Sequence, residues 1–251
     1  MINLKNKVAL ITGGSRGIGE ACVRMFAQAG SDVAFTFVSA ENRKNRLIED
    51  LQGITKIAAY KVDMESESDI NNCVEQVIKN SGRIDILVHN AGIWNDGDMT
   101  RMTLDHWEKL MRINLTSTFL FAKAVIPIMK QNKFGRIINI SSTAGQRGEA
   151  FHSHYAASKG GMISFTKSLA VELAPFNITV NSVAPGWVDT EMNDEVFADK
   201  NYKEKIQNDI PVGRIATAED IAGPVLFLAS DLARHINGEI LNVNGGSVLC
   251  G

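Results

Sequence analysis

Residues 7–19, Lys-Val-Ala-Leu-Ile-Thr-Gly-Gly-Ser-Arg-Gly-Ile-Gly, constrain the fold more than any other stretch. An apolar run breaks there into a glycine-rich turn that opens a helical pattern, Glu20 to Gly30. Strand, turn and helix in that order form the cradle that holds a dinucleotide pyrophosphate. Each glycine has its own task in such a cradle: Gly13 permits a tight turn, Gly17 lets the backbone approach the pyrophosphate, and Gly19 lets the helix pack closely on the strand. The helix N-terminus then turns unpaired N–H groups toward the phosphates.

Apolar and amphipathic segments alternate along the rest of the chain. Strands are expected near 7–12, 32–38, 56–62, 84–89, 135–141, 177–184 and 238–243, with helical patterns between them. That alternation predicts an α/β fold: a Rossmann-type, doubly wound parallel sheet of about seven strands, helices on both faces and right-handed crossovers. A chain of 251 residues suits one substantial core. No repeat, low-complexity tract or Pro/Ser-rich linker divides it, so residues 1–251 read as a single nucleotide-binding domain. A net charge of −2, from 26 basic and 28 acidic residues, gives no electrostatic basis for nucleic-acid binding. Cys22, Cys73 and Cys250 are far apart and lack metal-ligand spacing, so neither a disulfide framework nor a metal site is expected. With no signal-peptide pattern and no apolar run of about 18 residues, the expectation is a cytoplasmic protein without a membrane partner.

Tyr155 and Lys159 stand four residues apart, and Ser142 precedes the tyrosine by thirteen. On a helix over 152–175, the four-residue spacing puts phenol and ammonium on one face, one turn apart. A cation there favours phenolate, lowering the tyrosine from its ordinary pKa of about 10. A tyrosine able to exchange a proton suits a reaction that interconverts an alcohol and a carbonyl.

Thr12-Gly13-x-x-x-Gly17-x-Gly19 together with Tyr155-x-x-x-Lys159 resembles the short-chain dehydrogenase/reductase family. Further motifs of that family follow in order: Asp63 at the end of the third strand, Asn90-Ala91-Gly92 after the fourth, Asn114, Pro185-Gly186 with Thr190, and Val243-Asn244-Gly245-Gly246. The resemblance implies a catalytic set of Asn114, Ser142, Tyr155 and Lys159. It implies a cofactor set of Gly13, Ser15, Arg16, Gly17, Ile18, Gly19, Ser39, Asp63, Asn90, Ala91, Gly92, Tyr155, Lys159, Pro185, Gly186, Val188 and Thr190. Tyr155 would protonate the carbonyl oxygen and Ser142 would hydrogen-bond it. Lys159 would bind the nicotinamide ribose, and Asn114 would hold a water that resupplies protons.

The second strand ends without an acid for a ribose 2′-hydroxyl, whereas Arg16 lies in the glycine turn and Ser39 closes the strand; the cofactor is expected to be NADPH. Arg43 and Lys44 read as a solvated helix face. Trp94 and Trp187 are candidates for the substrate wall, and His152 and His154 for the substrate mouth or the helix surface. A hydrolase triad through those histidines lacks both a Gly-x-Ser-x-Gly elbow and an acid.

Within the family, the likeness is to the 3-oxoacyl-(acyl-carrier-protein) reductases of fatty-acid synthesis. This implies an acyl-thioester or small-molecule substrate, a lid near 191–213, and acyl carrier protein as a possible partner. The docking surface implied for that partner is basic. Lys130, Lys133 and Arg136 precede the fifth strand, but Phe176 stands where a base is expected before the sixth. The helices that carry the apolar faces around Phe119–Ala122 and Phe165–Leu173 have more apolar surface than one sheet covers; the resemblance implies that they pair across subunits in a homotetramer, and the alternative is that they are well-buried helices. A dehydrogenase of a free alcohol, sugar or ketone and a non-catalytic nicotinamide sensor are the alternatives.

Overall fold

The structure, a computed structural model, describes residues 2–39 and 41–250. Strand β1 (Val8–Ile11) is buried along its whole length because each face meets a different helix layer. Ala9 and Ile11 pack into one core cluster, Val8 and Leu10 into the other. A strand covered on both sides has no face to leave polar, hence its unbroken apolar run.

There follow α1 (Gly17–Gln28), β2 (Asp32–Phe37), α2 (Glu41–Leu51), β3 (Ile57–Lys61), α3 (Glu67–Ser81), β4 (Ile86–His89) and α4 (Leu104–Met111). A π-helical turn (Arg112–Thr116) leads into α5 (Ser117–Asn132). Next come β5 (Gly135–Ile140), α6 (Ala144–Arg147), α7 (Ser153–Leu173), β6 (Ile178–Pro185), α8 (Asp194–Phe197), α9 (Lys200–Asp209), α10 (Ala218–Ala229) and β7 (Ile240–Val243). The described residues form one seven-stranded parallel sheet, ordered β3-β2-β1-β4-β5-β6-β7. The order switches direction between β1 and β4. Loops leaving the ends of those two strands diverge there and open a crevice, the place where such sheets bind ligands. The glycine turn leaves β1 and Asn90-Ala91-Gly92 leaves β4, so both motifs meet at that crevice.

One core cluster lies between the sheet and α1 with α10, around Phe26, Phe35 and Val225; the other lies under α3, α5 and α7, around Phe121, Val125 and Met129. Leu120, Phe121, Ala122, Leu169, Ala170 and Leu173, part of the apolar surplus expected to need a partner subunit, are buried within this chain. Phe119 and Val171 stay exposed. Of the three bases expected before the fifth strand, Arg136 lies within β5 and cannot serve as docking charge: it is buried, its guanidinium lies against the Phe134 ring, and it donates to the carbonyls of Gly135 and Asn177. Lys130 lies over the Phe176 ring at 4.5 Å, and Lys133 is exposed.

No helix among the described residues is long and apolar enough to cross a membrane. Nor, among them, do three or more His, Cys, Asp or Glu converge as a metal site. Burial pushes the thiols of Cys22 and Cys73 up to about 12.

Candidate active site

The glycine turn is held by backbone proximity. A Cβ on Gly19 would lie 2.1 Å from the Gly13 carbonyl oxygen, and one on Gly14 would lie 2.6 Å from the Phe35 Cβ. Gly13 and Gly17 both take positive φ, at 64° and 52°, a conformation that side chains disfavour. Three polar side chains brace the turn. Thr12 Oγ1 accepts from the backbone N–H groups of Asn90 (3.0 Å) and Ala91 (2.9 Å). Asn90 Nδ2 donates to the carbonyls of Thr12 and Gly13, and the Gly13 N–H donates to Thr36 Oγ1 at 3.0 Å. Thr12, Gly14 and Thr36 belong to this brace although the sequence reading gave Gly14 and Thr36 no role.

Helices α3, α4 and α10 each begin with a side-chain cap from Ser66, Thr103 or Thr217, whereas α1 begins at Arg16 with none. An uncapped start beside a glycine cradle leaves N–H donors for an anion. These residues fit the pyrophosphate of a dinucleotide.

The four catalytic candidates converge from three segments. Ser142 follows β5; its Oγ accepts from the Ala144 N–H at 3.1 Å, and its hydroxyl lies near enough to the Tyr155 phenol to favour the ionised form. Helix α7 carries Tyr155 and Lys159, with the lysine Nζ 5.7 Å from the centre of the tyrosine ring. Lys159 is buried and donates to the Ile140 carbonyl at 2.7 Å.

Asn114 sits in the π-helical turn, fully buried. Its carboxamide grips Ile93 at both ends, accepting from the N–H at 2.8 Å and donating to the carbonyl at 2.9 Å. It also donates to Ser158 Oγ at 3.2 Å. A Cβ on Gly92 would lie 3.2 Å from Asn114 Oδ1 and 3.5 Å from Lys159 Nζ, so glycine there lets the two groups share one niche.

The electrostatics differ from the sequence expectation. Burial raises the Tyr155 phenol to about 12; the Ser142 hydroxyl pulls the other way and the Glu149 carboxylate adds to the rise. Burial also draws the Lys159 ammonium down, to about 8.

A cavity of about 800 Å³ opens over these groups. Ser142, Tyr155, Lys159, Ile18, Asn90, Gly92, Pro185, Gly186, Val188 and Thr190 line it, while Asn114 lies behind its wall. Gly17 abuts Thr190, whose Cβ is 3.4 Å from a Cβ placed on the glycine. Gly13 of the cradle is half-buried and Ser15, Gly19 and Ala91 are buried, whereas Arg16, Ser39 and Asp63 are exposed. The Asp63 carboxylate accepts from the Glu65 N–H at 2.9 Å.

Trp94 stacks on His152 at 4.3 Å and 11°, meets Trp187 edge-on at 6.2 Å, and donates its indole N–H to Glu149 at 3.3 Å. Trp187 packs in turn on Phe197 at 5.9 Å. His152 Nε2 lies 2.9 Å from Asp96 Oδ1. His154 belongs neither to the mouth nor to the helix surface: it is fully buried, 3.0 Å from Asn95 Oδ1 and edge-on to His106. Arg43 and Lys44 are not merely solvated, for they form ion pairs with Glu191 and Glu41.

Fold and site together define an α/β oxidoreductase built around a nicotinamide dinucleotide. A family model described as Enoyl-(Acyl carrier protein) reductase matches residues 13–247. Curated relatives include 3-oxoacyl-(acyl-carrier-protein) reductases from Aquifex aeolicus, 43% identical over 98% of both chains, and from Escherichia coli, 40% identical over 98% of both. The reductase of Thermotoga maritima is 38% identical over 99% of this chain and 100% of its own. The crystal structure of gox2181 superposes with a TM-score of 0.93 at 34% identity, covering 98% of this chain and 96% of that one. The chain belongs to the short-chain dehydrogenase/reductase family and is an NAD(P)-dependent oxidoreductase.

Proposed function

We propose that the protein reduces a 3-oxoacyl thioester to the 3-hydroxyacyl form with NADPH. The observation that carries this reading is the Ser142–Tyr155 pair, two hydroxyls in one cavity with a buried lysine and asparagine behind them. Relatives named for 3-oxoacyl reduction align along nearly the whole chain and support it. Two hydroxyl donors suit a carbonyl oxygen better than the carbon–carbon double bond named in the family model's description.

When bound, the reduced nicotinamide supplies hydride to the carbonyl carbon. Ser142 and Tyr155 hold the carbonyl oxygen and offset the charge developing on it. Tyr155 gives that oxygen a proton, and a phenol raised by burial is in its proton-bearing form at neutral pH. Lys159 holds the ribose, and Asn114 keeps a water on the route by which the proton is replaced.

The preference for NADPH rests on β2, which runs out at Phe37-Val38-Ser39 with no acid, and on exposed Arg16 beside it. Residues 191–213, with α8 and α9, act as the substrate lid of a single domain. Exposed Phe119 and Val171 are the contacts of a homotetramer, and the compartment is the cytoplasm.

A second reading, a dehydrogenase acting on a free small alcohol, sugar or ketone, is favoured by the docking surface. With Arg136 buried and Lys130 over Phe176, Lys133 carries little of the charge that an acyl carrier protein needs.

NADPH oxidation with acetoacetyl-CoA, run beside a panel of free ketones and sugars and repeated with NADH, separates the two. Turnover of the thioester with NADPH is expected. Silence on the thioester together with turnover of a panel member moves the protein to the second reading.

A further inference from the structure

Glu191 opens the lid segment directly after Thr190, yet its carboxylate points back across the cofactor crevice. One oxygen pairs with the guanidinium of Arg43, in the first turn of α2 and 148 residues away in sequence. The other lies 3.7 Å from where a Cβ on Gly17 would project, over the uncapped start of α1. Arg16 adds a second positive charge: against the opposing effect of burial, the Glu191 carboxyl is held below its ordinary range first by its own backbone N–H, then by Arg43 and last by Arg16. A carboxylate thus sits between two arginines and a helix N-terminus, one of the arginines being in the helix that follows β2, and in folds of this kind an arginine in that neighbourhood receives a ribose 2′-phosphate.

We propose that Glu191 is a resident counter-anion that competes with the 2′-phosphate for Arg43 and Arg16, so that NADPH must break the Arg43–Glu191 bridge to bind. The inference rests on the NADPH reading above. Glu191 then limits how far the enzyme discriminates NADPH from NADH, because only the phosphorylated cofactor has to displace a charge and only it gains one in return. It also ties cofactor charge to the lid, since the residue that is displaced is the lid's first.

The test is a set of cofactor dissociation constants, measured by fluorescence titration for the wild type and Glu191→Gln with NADPH and NADH, together with Arg43→Ala and the double variant. A half-exposed ion pair contributes little, so Glu191→Gln is expected to tighten NADPH by roughly two- to fivefold and leave NADH within about twofold. The gain should disappear in the Arg43→Ala background and shrink at high salt. Without cofactor, amide exchange over residues 191–197 should be faster in Glu191→Gln than in the wild type.

Equal changes for both cofactors, weaker NADPH binding, or a full gain without Arg43 would overturn the inference. A wild-type preference for NADH overturns the cofactor reading alone, because the shift in preference on removing Glu191 is read whichever cofactor binds better.

Discussion

The two sides of the crevice are built by different means. On the cofactor side, proximity is set by backbone: the Gly19 Cα packs against the Gly13 carbonyl, and Thr12 and Asn90 stitch the ends of β1 and β4 together through main-chain groups. On the substrate side, proximity is set by side chains from separate segments, with His152, Trp94, Trp187 and Phe197 in contact in that order. Backbone contacts demand particular residues at fixed spacings. Side-chain contacts can be met by many pairs, so one side of the crevice is specified residue by residue and the other only by shape.

The sharpest cut between the two sides is Tyr155→Phe, which leaves both walls in place. We expect kcat to fall by about 10³-fold while the dissociation constant for NADPH, measured by titration, stays unchanged. Next in size is Gly19→Ala. Its Cβ would collide with main chain that cannot step aside, so a loss of about 1–3 kcal/mol in stability should accompany at least a tenfold weaker cofactor affinity; thermal unfolding and titration would show it. An unshifted Tm would mean that the cradle is softer than its spacing implies.

Trp94→Ala addresses the other wall. The KM for substrate should rise by up to about tenfold with cofactor affinity within about twofold, and steady-state kinetics at saturating cofactor would read it. An equal loss of both affinities would erase the distinction between the two sides.

The smallest effect is a pH dependence of stability centred on the niche that both sides share. Lys159 is drawn from 10.5 to about 8, so below about pH 8 the folded protein carries a buried charge that the unfolded chain would solvate. That penalty is relieved as the pH rises from about 8 toward 10.5, because the unfolded state then binds more protons. Tyr155, raised from 10 to about 12, works in the opposite sense: its contribution is fully present below pH 10 and is lost as the pH climbs toward 12. Comparing Tm at about pH 7 and about pH 9.5 for the wild type and Lys159→Met should show an upward trend that the variant lacks.

The same division decides what could be read without a structure. The expected strands at 32–38, 56–62 and 135–141 fall within a residue of β2, β3 and β5 at each end; buried β2 and β5 announce themselves as apolar runs, and β3, a half-buried edge strand, as a short one. The helical pattern from 103 to 131 reads as one rod, because the π-helical turn that splits it keeps the helix running and leaves no glycine or proline at the break. The motif residues of the cradle and the niche come together around Gly92 and Tyr155. What stayed hidden depends on distance in space: the stacking of Trp94 on His152, the inward turn of His154, and the pairing of Arg43 with Glu191. The sign of the Tyr155 shift was hidden for a related reason. Helical spacing shows that Lys159 is near, whereas how deeply both groups are buried depends on everything packed around them.

The π-helical turn at Arg112–Thr116 has a consequence for how this chain can change in length. An α-helix rotates by about 100° for each residue. Deleting one residue between Met111 and Ser117 would therefore swing α5 by that angle about its axis, taking Leu120, Phe121 and Val125 out of the core and the Asn114 carboxamide away from Ile93. The wide turn is a phase-shifter in a single shaft: upstream of it the shaft is timed to α7 and the niche, downstream to α3 and the sheet. Substitutions can be absorbed on either side of such a device, but gains and losses of single residues cannot.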